Sequence, residues 1–132
     1  MNPRFLEKSK SYLGRAAAKV GSYYCCGLQS FTPKIGHYDV IWCQWVLAHL
    51  TDEDLISFVK RCQEGLTTVG IIIVKENVTT EGKDYDHVDS SVARSAEIFR
   101  QLFTAAGLRV VQEDKQLGFP EQMYDVNMWA LR

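Results

Sequence analysis

The chain has 132 residues, of which 46% are hydrophobic and 23% are charged, and its formal net charge is −1 at pH 7. This balance is typical of one globular domain and contains no basic stripe of the kind that binds a nucleic-acid backbone. No apolar run approaches the ~20 residues of a membrane span, and the N-terminal stretch MNPRFLEKSK has no apolar region of a secretory signal. We therefore expect neither nucleic acid nor membrane among its partners.

The four cysteines give no sign of a metal site. None form a C-x-x-C pair, and no cysteine and histidine residues have the spacing of zinc ligands. Cys25 and Cys26 are neighbours, so in a strand they would point to opposite faces. We expect Cys25, Cys26, Cys43 and Cys62 to be small buried residues with free thiols, and we expect no bound metal.

The first part of the chain predicts one helix and two strands. A helix over Asn2–Leu13 has Asn2 as its N-cap, Pro3 in the first position and Gly14 after its end. The Tyr- and Cys-rich segment 22–26 predicts a short strand. The segment 38–43 predicts a second strand, which is apolar on both faces apart from one acid and is therefore expected to be buried on both sides, as in a parallel sheet.

The middle of the chain predicts a helix, a strand and a long loop. Thr51 and the three acids after it resemble a capping box, and an apolar stripe follows from Leu55 to Leu66. Residues 70–75 contain Ile-Ile-Ile-Val, which is typical of a buried parallel strand. A polar loop is predicted over residues 77–90.

The last part predicts a helix over Ser91–Ala106 with Gly107 after it, then strands over residues 108–113 and 124–131. The alternation of helices and strands predicts an open, doubly wound α/β sheet with an antiparallel pair of strands at its C-terminal edge. There are no internal repeats and no linker, so we predict one domain over residues 1–132.

Ligands of open α/β sheets bind beyond the carboxyl ends of the strands. Three segments that directly follow predicted strands lie at this edge of the sheet. Their polar or aromatic residues are Gln29, Gln44, Trp45, His49 and Asn77. The long loop adds the acids Asp84, Asp86 and Asp89. An aromatic wall, amides, acids and a titratable histidine together indicate a polar cleft that could bind a ligand.

Each of these residues also has an ordinary structural explanation. A single histidine before a helix, such as His49, is more often a loop residue than a base, and Trp45 is more often a cover over the end of its strand. Asp89 is explained as the N-cap of the next helix, and the other two acids as solvated loop residues. Gln29 and Asn77 are common turn residues. Position alone therefore indicates only an α/β domain with a polar cleft.

The same segments resemble one protein family. The matching stretches, in chain order, are CCGLQSFTP, YDVIWCQWVLAHLTD, GIIIVKENV, DSSVAR and GFPEQMY. They are similar to the N-terminal Xaa-Pro-Lys protein methyltransferases, which use S-adenosyl-L-methionine to methylate the α-amine of target proteins. YDVIW by itself indicates only some Rossmann-like methyltransferase, whereas QWVLAHLTD together with DSSVAR is much more specific and carries the resemblance.

The resemblance implies roles for individual residues. Leu28, Gln29 and Gln44 match cofactor-binding positions. His49 and Asp89 match the pair that takes the proton from the α-amine. The positions that bind the peptide, with an N-terminal Xaa-Pro-Lys or Xaa-Pro-Arg, are matched by Trp45 for the proline, Asn77 for the backbone, Asp86 and Ser91 for the basic residue, and Tyr124 for the channel wall. The resemblance also implies residence in the nucleus and cytoplasm.

The chain departs from this family in one respect. Methyltransferases of this class begin their sheet with a strand that ends in a Gly-rich turn, and the next strand ends in an acid; none of the nine glycines here forms such a cluster. We therefore expect a partial Rossmann-like (class I methyltransferase) three-layer α/β sandwich that lacks the first two strands. On this basis the chain is expected to be the C-terminal portion of such an enzyme and to bind cofactor weakly or not at all.

Two alternatives stay open at this stage. A chain without the Gly-rich turn is also explained as a catalytically inactive partner that binds a full-length methyltransferase through an exposed strand edge. YDVIW alone is also compatible with a small-molecule methyltransferase. The missing strands predict that the segment 38–43 is an apolar edge strand, which favours aggregation of the isolated chain.

Overall fold

A computed structural model describes residues 3–120 and 122–132 of the chain, which form two compact units divided after Phe31. The first unit contains helix α1 (Pro3–Leu13) and a 3₁₀ helix over Gly14–Lys19. The α-helix ends before Gly14, as predicted, because the φ of +51° at this residue is incompatible with a continued α-helix. The predicted N-cap Asn2 lies outside the described residues.

The strand predicted over residues 22–26 is wrong, because the structure assigns no strand to this segment. Tyr- and Cys-rich sequence favours an extended backbone, but a strand also needs a neighbour to accept its hydrogen bonds. No described residue pairs with this segment in the sheet. Tyr24 instead packs edge-on against Phe31, with 5.2 Å between ring centroids, and Cys25 is exposed.

The second unit, Thr32–Arg132, contains the sheet and two helices. Its elements in chain order are β1 (Tyr38–Gln44), α2 (Asp52–Gly65), β2 (Leu66–Thr79), β3 (Lys83–Asp86), β4 (Ser91–Ser95), α3 (Ala96–Ala105), β5 (Val110–Lys115) and β6 (Asp125–Leu131). A single 3₁₀ turn, Leu47–His49, lies between β1 and α2. In the part of the chain that the structure describes, no helix is long and apolar enough to cross a membrane.

Strand β2 is the centre of the sheet. On one side it runs parallel to β1 and then, at its carboxyl end, parallel to β4. On the other side it pairs antiparallel with β6, and β6 pairs antiparallel with β5. The predicted α/β architecture with an antiparallel C-terminal pair is therefore confirmed.

One face of this sheet is packed against both helices. Cys43, Val74 and Trp129 lie side by side on β1, β2 and β6 and are buried. The Trp129 ring lies 5.0 Å from Phe99 and 5.7 Å from Phe103 of α3, between ring centroids. A hydrogen bond donated to Cys43 and burial both raise the pKa of the Cys62 thiol on α2. Cys43 and Cys62 are buried and free, as predicted, whereas Cys25 is exposed.

The opposite face of β1 is open, so the prediction that this strand is buried on both sides is wrong. Val40 and Trp42 are each 55% exposed. Alternation of buried and exposed side chains along a strand indicates a sheet that is packed on one face only at this point. Among the described residues β1 pairs only with β2, so it is an edge strand, as predicted.

The segment between β2 and α3 differs most from its prediction. The predicted loop contains β3, and the predicted helix over Ser91–Ala106 begins only at Ala96, because β4 occupies its first five residues. Buried Val92 and Arg94 alternate with half-buried residues and pair with β3, so a period of two overrides helical propensity. The N-cap is therefore Ser95, whose Oγ accepts the Ile98 N–H at 3.4 Å, and the N-cap explanation of Asp89 is wrong.

Candidate active site

A cavity of about 640 Å³ lies beyond the carboxyl ends of β1 and β2. It is bordered by the turn after β1, the end of β2, the β3–β4 hairpin and the residue before β6. Seven of the ten residues with predicted site roles line it: Trp45, His49, Asn77, Asp86, Asp89, Ser91 and Tyr124. The structure thus brings together the predicted catalytic pair and all of the predicted peptide-binding residues.

The three predicted cofactor residues do not line this cavity. Gln44 is the last residue of β1, and its Oε1 accepts the Trp42 indole N–H at 3.0 Å. Leu28 and Gln29 belong to the first unit, in a turn that the N–H groups of Ser30 and Phe31 close onto the Gly27 carbonyl at 3.1 and 3.0 Å.

The turn after β1 begins with an unusual backbone at Trp45. Its φ is +51°, in the left-handed region that costs an L-residue about 1–2 kcal/mol. Its N–H donates to the Lys75 carbonyl at 3.0 Å, and the Lys75 ammonium lies 5.5 Å from the centre of the indole ring. The indole is 46% exposed and forms a wall of the cavity. Such a conformation persists only where the surrounding contacts hold it.

Glu76 supplies one of those contacts. Its carboxylate is 2% exposed, and Oε1 accepts the N–H groups of Val46 and Leu47, both at 2.8 Å. Burial raises the pKa of Glu76, against the opposing effect of these two hydrogen bonds and of the positive charges of Arg94 and His49. The acid also lines the cavity.

Arg94 also binds this turn, by donating hydrogen bonds to the carbonyl groups of residues in the turn. It is 1% exposed; its Nη2 donates to the Leu50 carbonyl at 2.6 Å, and its Nη1 lies 3.5 Å from the Leu47 carbonyl. Its Nε donates to Asp52 Oδ1 at 2.9 Å, and Lys83 Nζ lies 2.6 Å from the other oxygen of that acid. Burial favours a raised pKa for Asp52, but these two cations lower it overall.

His49 lies between the buried Leu47 and Leu50, so its backbone is fixed while its imidazole is exposed at the cavity. Asp89 Oδ1, on the facing hairpin, accepts the Ser91 N–H at 2.9 Å. The hydrogen bonds from Ser91 lower the pKa of Asp89, and the charge of His49 lowers it further. Asp89 is therefore ionised at neutral pH, and it lines the same cavity as His49.

The wall formed by β3 is acidic. Asp84 and Asp86 are two residues apart on this strand, so both project toward the cavity. The Tyr124 hydroxyl donates to Asp84, and this hydrogen bond raises the pKa of Tyr124. A second cavity of about 810 Å³ shares Asn77, Asp84 and Tyr124 with the first, so the two cavities adjoin at these residues.

The left-handed backbone at Trp45 leads to a test of stability. Glycine adopts this conformation without penalty, so we expect Trp45→Gly to be about 1 kcal/mol more stable than Trp45→Ala. At the next residue, Val46, φ is −127° and the order should reverse, with the glycine variant less stable than the alanine variant. Urea unfolding of the four variants measures both differences, and a less stable glycine variant at position 45 would contradict the strained conformation.

Glu76 and Arg94 are members of the site that the sequence does not predict. Glu76 directly follows the apolar strand predicted over residues 70–75. An acid at that position is the one signal in the sequence that could have indicated a buried carboxylate with hydrogen-bond partners. Arg94 falls within a predicted helix, in which its side chain would have no defined partner. The pairing of β2 with β4 reveals Arg94, and the hydrogen bonds from Val46 and Leu47 reveal Glu76.

The fold places the chain in a known class. It superposes on a SAM-dependent methyltransferase from Leishmania major with a TM-score of 0.90 at 35% identity, covering 96% of this chain and 50% of that one. A 1,6-didemethyltoxoflavin-N1-methyltransferase from Burkholderia thailandensis superposes with a TM-score of 0.78 at 12% identity, over 95% of this chain and 56% of that one. The chain therefore has the α/β fold of class I SAM-dependent methyltransferases.

Within this class the family is also shown. The family model described as AdoMet dependent proline di-methyltransferase matches residues 2–132, and the chain belongs to this family. It is 50% identical over 128 residues to N-terminal Xaa-Pro-Lys N-methyltransferase 1-B of Xenopus laevis and 46% identical to N-terminal Xaa-Pro-Lys N-methyltransferase 1 of Homo sapiens. Each alignment covers 97% of this chain and 57% of the relative, so the chain spans little more than half the length of these proteins.

Proposed function

We propose that the chain carries the peptide-binding and proton-accepting part of a methyltransferase that acts on the α-amine of proteins beginning Xaa-Pro-Lys or Xaa-Pro-Arg. The observation that supports this most directly is the gathering of seven separately predicted residues around one cavity. The names of the relatives give the same substrate class. Location in the nucleus and cytoplasm is proposed on family resemblance alone.

The cavity walls suit the first three residues of such a peptide. A proline ring has no N–H to satisfy and packs well on the exposed indole of Trp45. Asn77 offers both a donor and an acceptor to the peptide backbone, and Tyr124 also lines the cavity. The ammonium or guanidinium of the third residue finds Asp86 and Ser91 on the acidic hairpin.

His49 and Asp89 are proposed to take the proton of the α-amine. An α-amine has a pKa of about 7.7–8.0, well below the value near 10.4 of a lysine side chain, so a weak base is sufficient to deprotonate it. Both groups line the cavity, and Asp89 is ionised. General-base assistance together with correct positioning of the amine accounts for the selectivity for an N-terminus over lysine.

The proposed cofactor is S-adenosyl-L-methionine, which supplies the methyl group when bound. The residues of this chain that would border it are Leu28, Gln29 and Gln44, and the half-buried amide of Gln44 at the end of β1 suits a polar ligand. The fit is partial, because the nine glycines of the chain form no Gly-rich turn. The chain's own residues are therefore proposed to bind and orient the peptide and to accept its proton.

Peptide binding by the chain itself tests the proposal. We expect a six-residue peptide beginning Ser-Pro-Lys to bind in isothermal titration calorimetry, with S-adenosyl-L-methionine present. Matched peptides with an acetylated N-terminus or with alanine in place of proline should bind at least about tenfold more weakly, which corresponds to about 1.4 kcal/mol. Equal affinity for all three peptides, or none for the first, would contradict the proposed substrate class.

Mass spectrometry of the same mixtures tests the proton-accepting pair. If methylated peptide forms, the double variant His49→Ala, Asp89→Ala should reduce its rate by about 10²-fold or more, the usual contribution of a general base. The peptide affinity of this variant should change little, since other residues bind the proline and the lysine. Unchanged turnover would remove the assigned role from both residues.

A specific observation also favours a second candidate, a non-catalytic partner of a longer methyltransferase. Strand β1 pairs on one side only among the described residues, and Val40 and Trp42 are exposed on it. Such an edge can add to the sheet of another chain. Co-purification with a full-length relative, lost in Trp42→Lys, together with absence of peptide binding by the chain alone, would favour this candidate over the first.

A further inference from the structure

Three consecutive N–H groups of the turn after β1 are bound by two consecutive residues of β2. The Trp45 N–H donates to the Lys75 carbonyl, and the N–H groups of Val46 and Leu47 both donate to one oxygen of Glu76. A left-handed residue followed by a residue with negative φ turns successive N–H groups toward a common point, where an anion binds. The carboxylate of Glu76 occupies that point.

A buried carboxylate is costly unless its hydrogen bonds compensate for the lost hydration. Glu76 is 2% exposed, and its neighbours on the same face of β2, Val74 and Val78, are buried apolar residues. The acid is therefore placed where its charge has no general stabilising value and where its two hydrogen bonds both go to one turn. That turn bears Trp45 at its start and His49 at its end.

We propose that Glu76 is a positioning residue whose carboxylate fixes the backbone of residues 45–49, and with it the Trp45 and His49 side chains at the cavity. The hydrogen-bond geometry, rather than the negative charge itself, does this. The role of the two positioned side chains in peptide binding rests on the proposed function, whereas the fixing of the backbone does not.

Two substitutions separate geometry from charge. Glu76→Gln keeps the length of the side chain and an Oε1 acceptor but removes the charge. Glu76→Asp keeps the charge but is one methylene shorter, so its carboxylate cannot reach both N–H groups. Glu113→Asp is the matched control, because this acid lies on β5 and binds the side chains of Arg100 and Asn127.

The first measurement is amide hydrogen exchange of Val46 and Leu47, by NMR of the ¹⁵N-labelled chain. Rates are expressed relative to the core amide of Val74, so that a general loss of stability does not affect the comparison. We expect Glu76→Asp to accelerate exchange of both amides about tenfold or more, and Glu76→Gln to leave it within about threefold of the parent chain. The control should change neither rate. Parent-like exchange in Glu76→Asp, or acceleration in Glu76→Gln alone, would overturn the proposal.

The second measurement is the affinity for the Ser-Pro-Lys peptide. It should fall about tenfold in Glu76→Asp and stay near the parent value in Glu76→Gln. A loss in Glu76→Gln equal to that in Glu76→Asp would show that the charge acts on the ligand directly, which overturns the positioning role. If the parent chain binds no peptide while Glu76→Asp still accelerates exchange, the proposed function fails and the inference about Glu76 stands.

Discussion

Replacing Arg94 by methionine should lower the free energy of unfolding by about 2–4 kcal/mol, because it removes a hydrogen bond between charged groups and leaves a buried carbonyl without its donor. The guanidinium is 1% exposed and binds Asp52 together with the carbonyl groups of the turn that bears His49. Methionine fills a similar volume but donates no hydrogen bond, so the Leu50 carbonyl loses the donor that Arg94 supplies and Asp52 loses its hydrogen bond from Nε. Urea unfolding followed by circular dichroism measures the difference.

Arg100 provides the matched control. It also forms ion pairs, with Glu97 and Glu113, but its side chain is 44% exposed. Exposed pairs contribute about 1 kcal/mol or less, so Arg100→Met should be nearly as stable as the parent chain. Equal losses in the two variants would mean that burial of Arg94 is not what makes its contacts important.

The stability difference between the parent chain and Arg94→Met should depend on pH, and the lowered pKa of Asp52 gives the sign of this dependence. The pKa of Asp52 in the folded chain lies below its ordinary value of 3.8, so this acid contributes stability above that pH. The contribution is lost as the pH falls through the lowered folded pKa, because the protonated acid no longer pairs with Arg94. The difference between parent and variant should therefore be largest near neutrality and should decrease below a pH of about 4.

Replacing Asp86 by lysine should weaken binding of the Ser-Pro-Lys peptide by about 100-fold. A hydrogen bond between charged groups contributes about 1.5–3 kcal/mol, and a new ammonium beside the lysine of the peptide adds repulsion. Asp86 lines the cavity, and its Oδ1 is oriented by the Val88 N–H at 2.7 Å. Titration calorimetry measures the affinity.

A peptide with the opposite charge at its third residue, together with a second variant, makes this test specific. A Ser-Pro-Glu peptide should bind Asp86→Lys more tightly than it binds the parent chain, because both charges of the pair are exchanged. Asp114→Lys makes the same change of net charge on β5, at an exposed residue that does not line the cavity. If it weakens binding as much as Asp86→Lys, the effect comes from the overall field and not from a specific pair.

The elements that sequence predicts well are those in which the pattern of apolar residues has a single interpretation. The capping residue Thr51, whose Oγ1 accepts the Asp54 N–H at 3.1 Å, and the stripe after it define α2 without ambiguity. The predictions for the segments 22–26 and 91–95 are wrong for opposite reasons. The first has strand propensity but no partner among the described residues, and the second has a partner, β3, that lies in a stretch too polar to predict.

Sequence predicts the site residues that lie near the ends of strands. It does not predict those whose side chains reach the site from within a strand of the sheet. Trp45, His49 and Asn77 follow strand ends, so topology alone predicts them on one rim. Arg94 reaches the same rim only because β4 runs beside the end of β2, a pairing of two residues that no local pattern reveals. The Trp45 backbone conformation is equally hidden, since tryptophan carries no preference for positive φ.

Asp52 connects two parts of the cavity wall, the β3–β4 hairpin and the turn that bears His49. It lies at the start of α2, yet one oxygen binds Lys83 on β3 and the other binds Arg94 on β4, which in turn holds the His49 turn. The acidic hairpin and the turn that bears the histidine are thus attached to the same helix end. For the proposed peptide ligand, this shared attachment would keep His49 and the acidic hairpin at one spacing while the ligand binds.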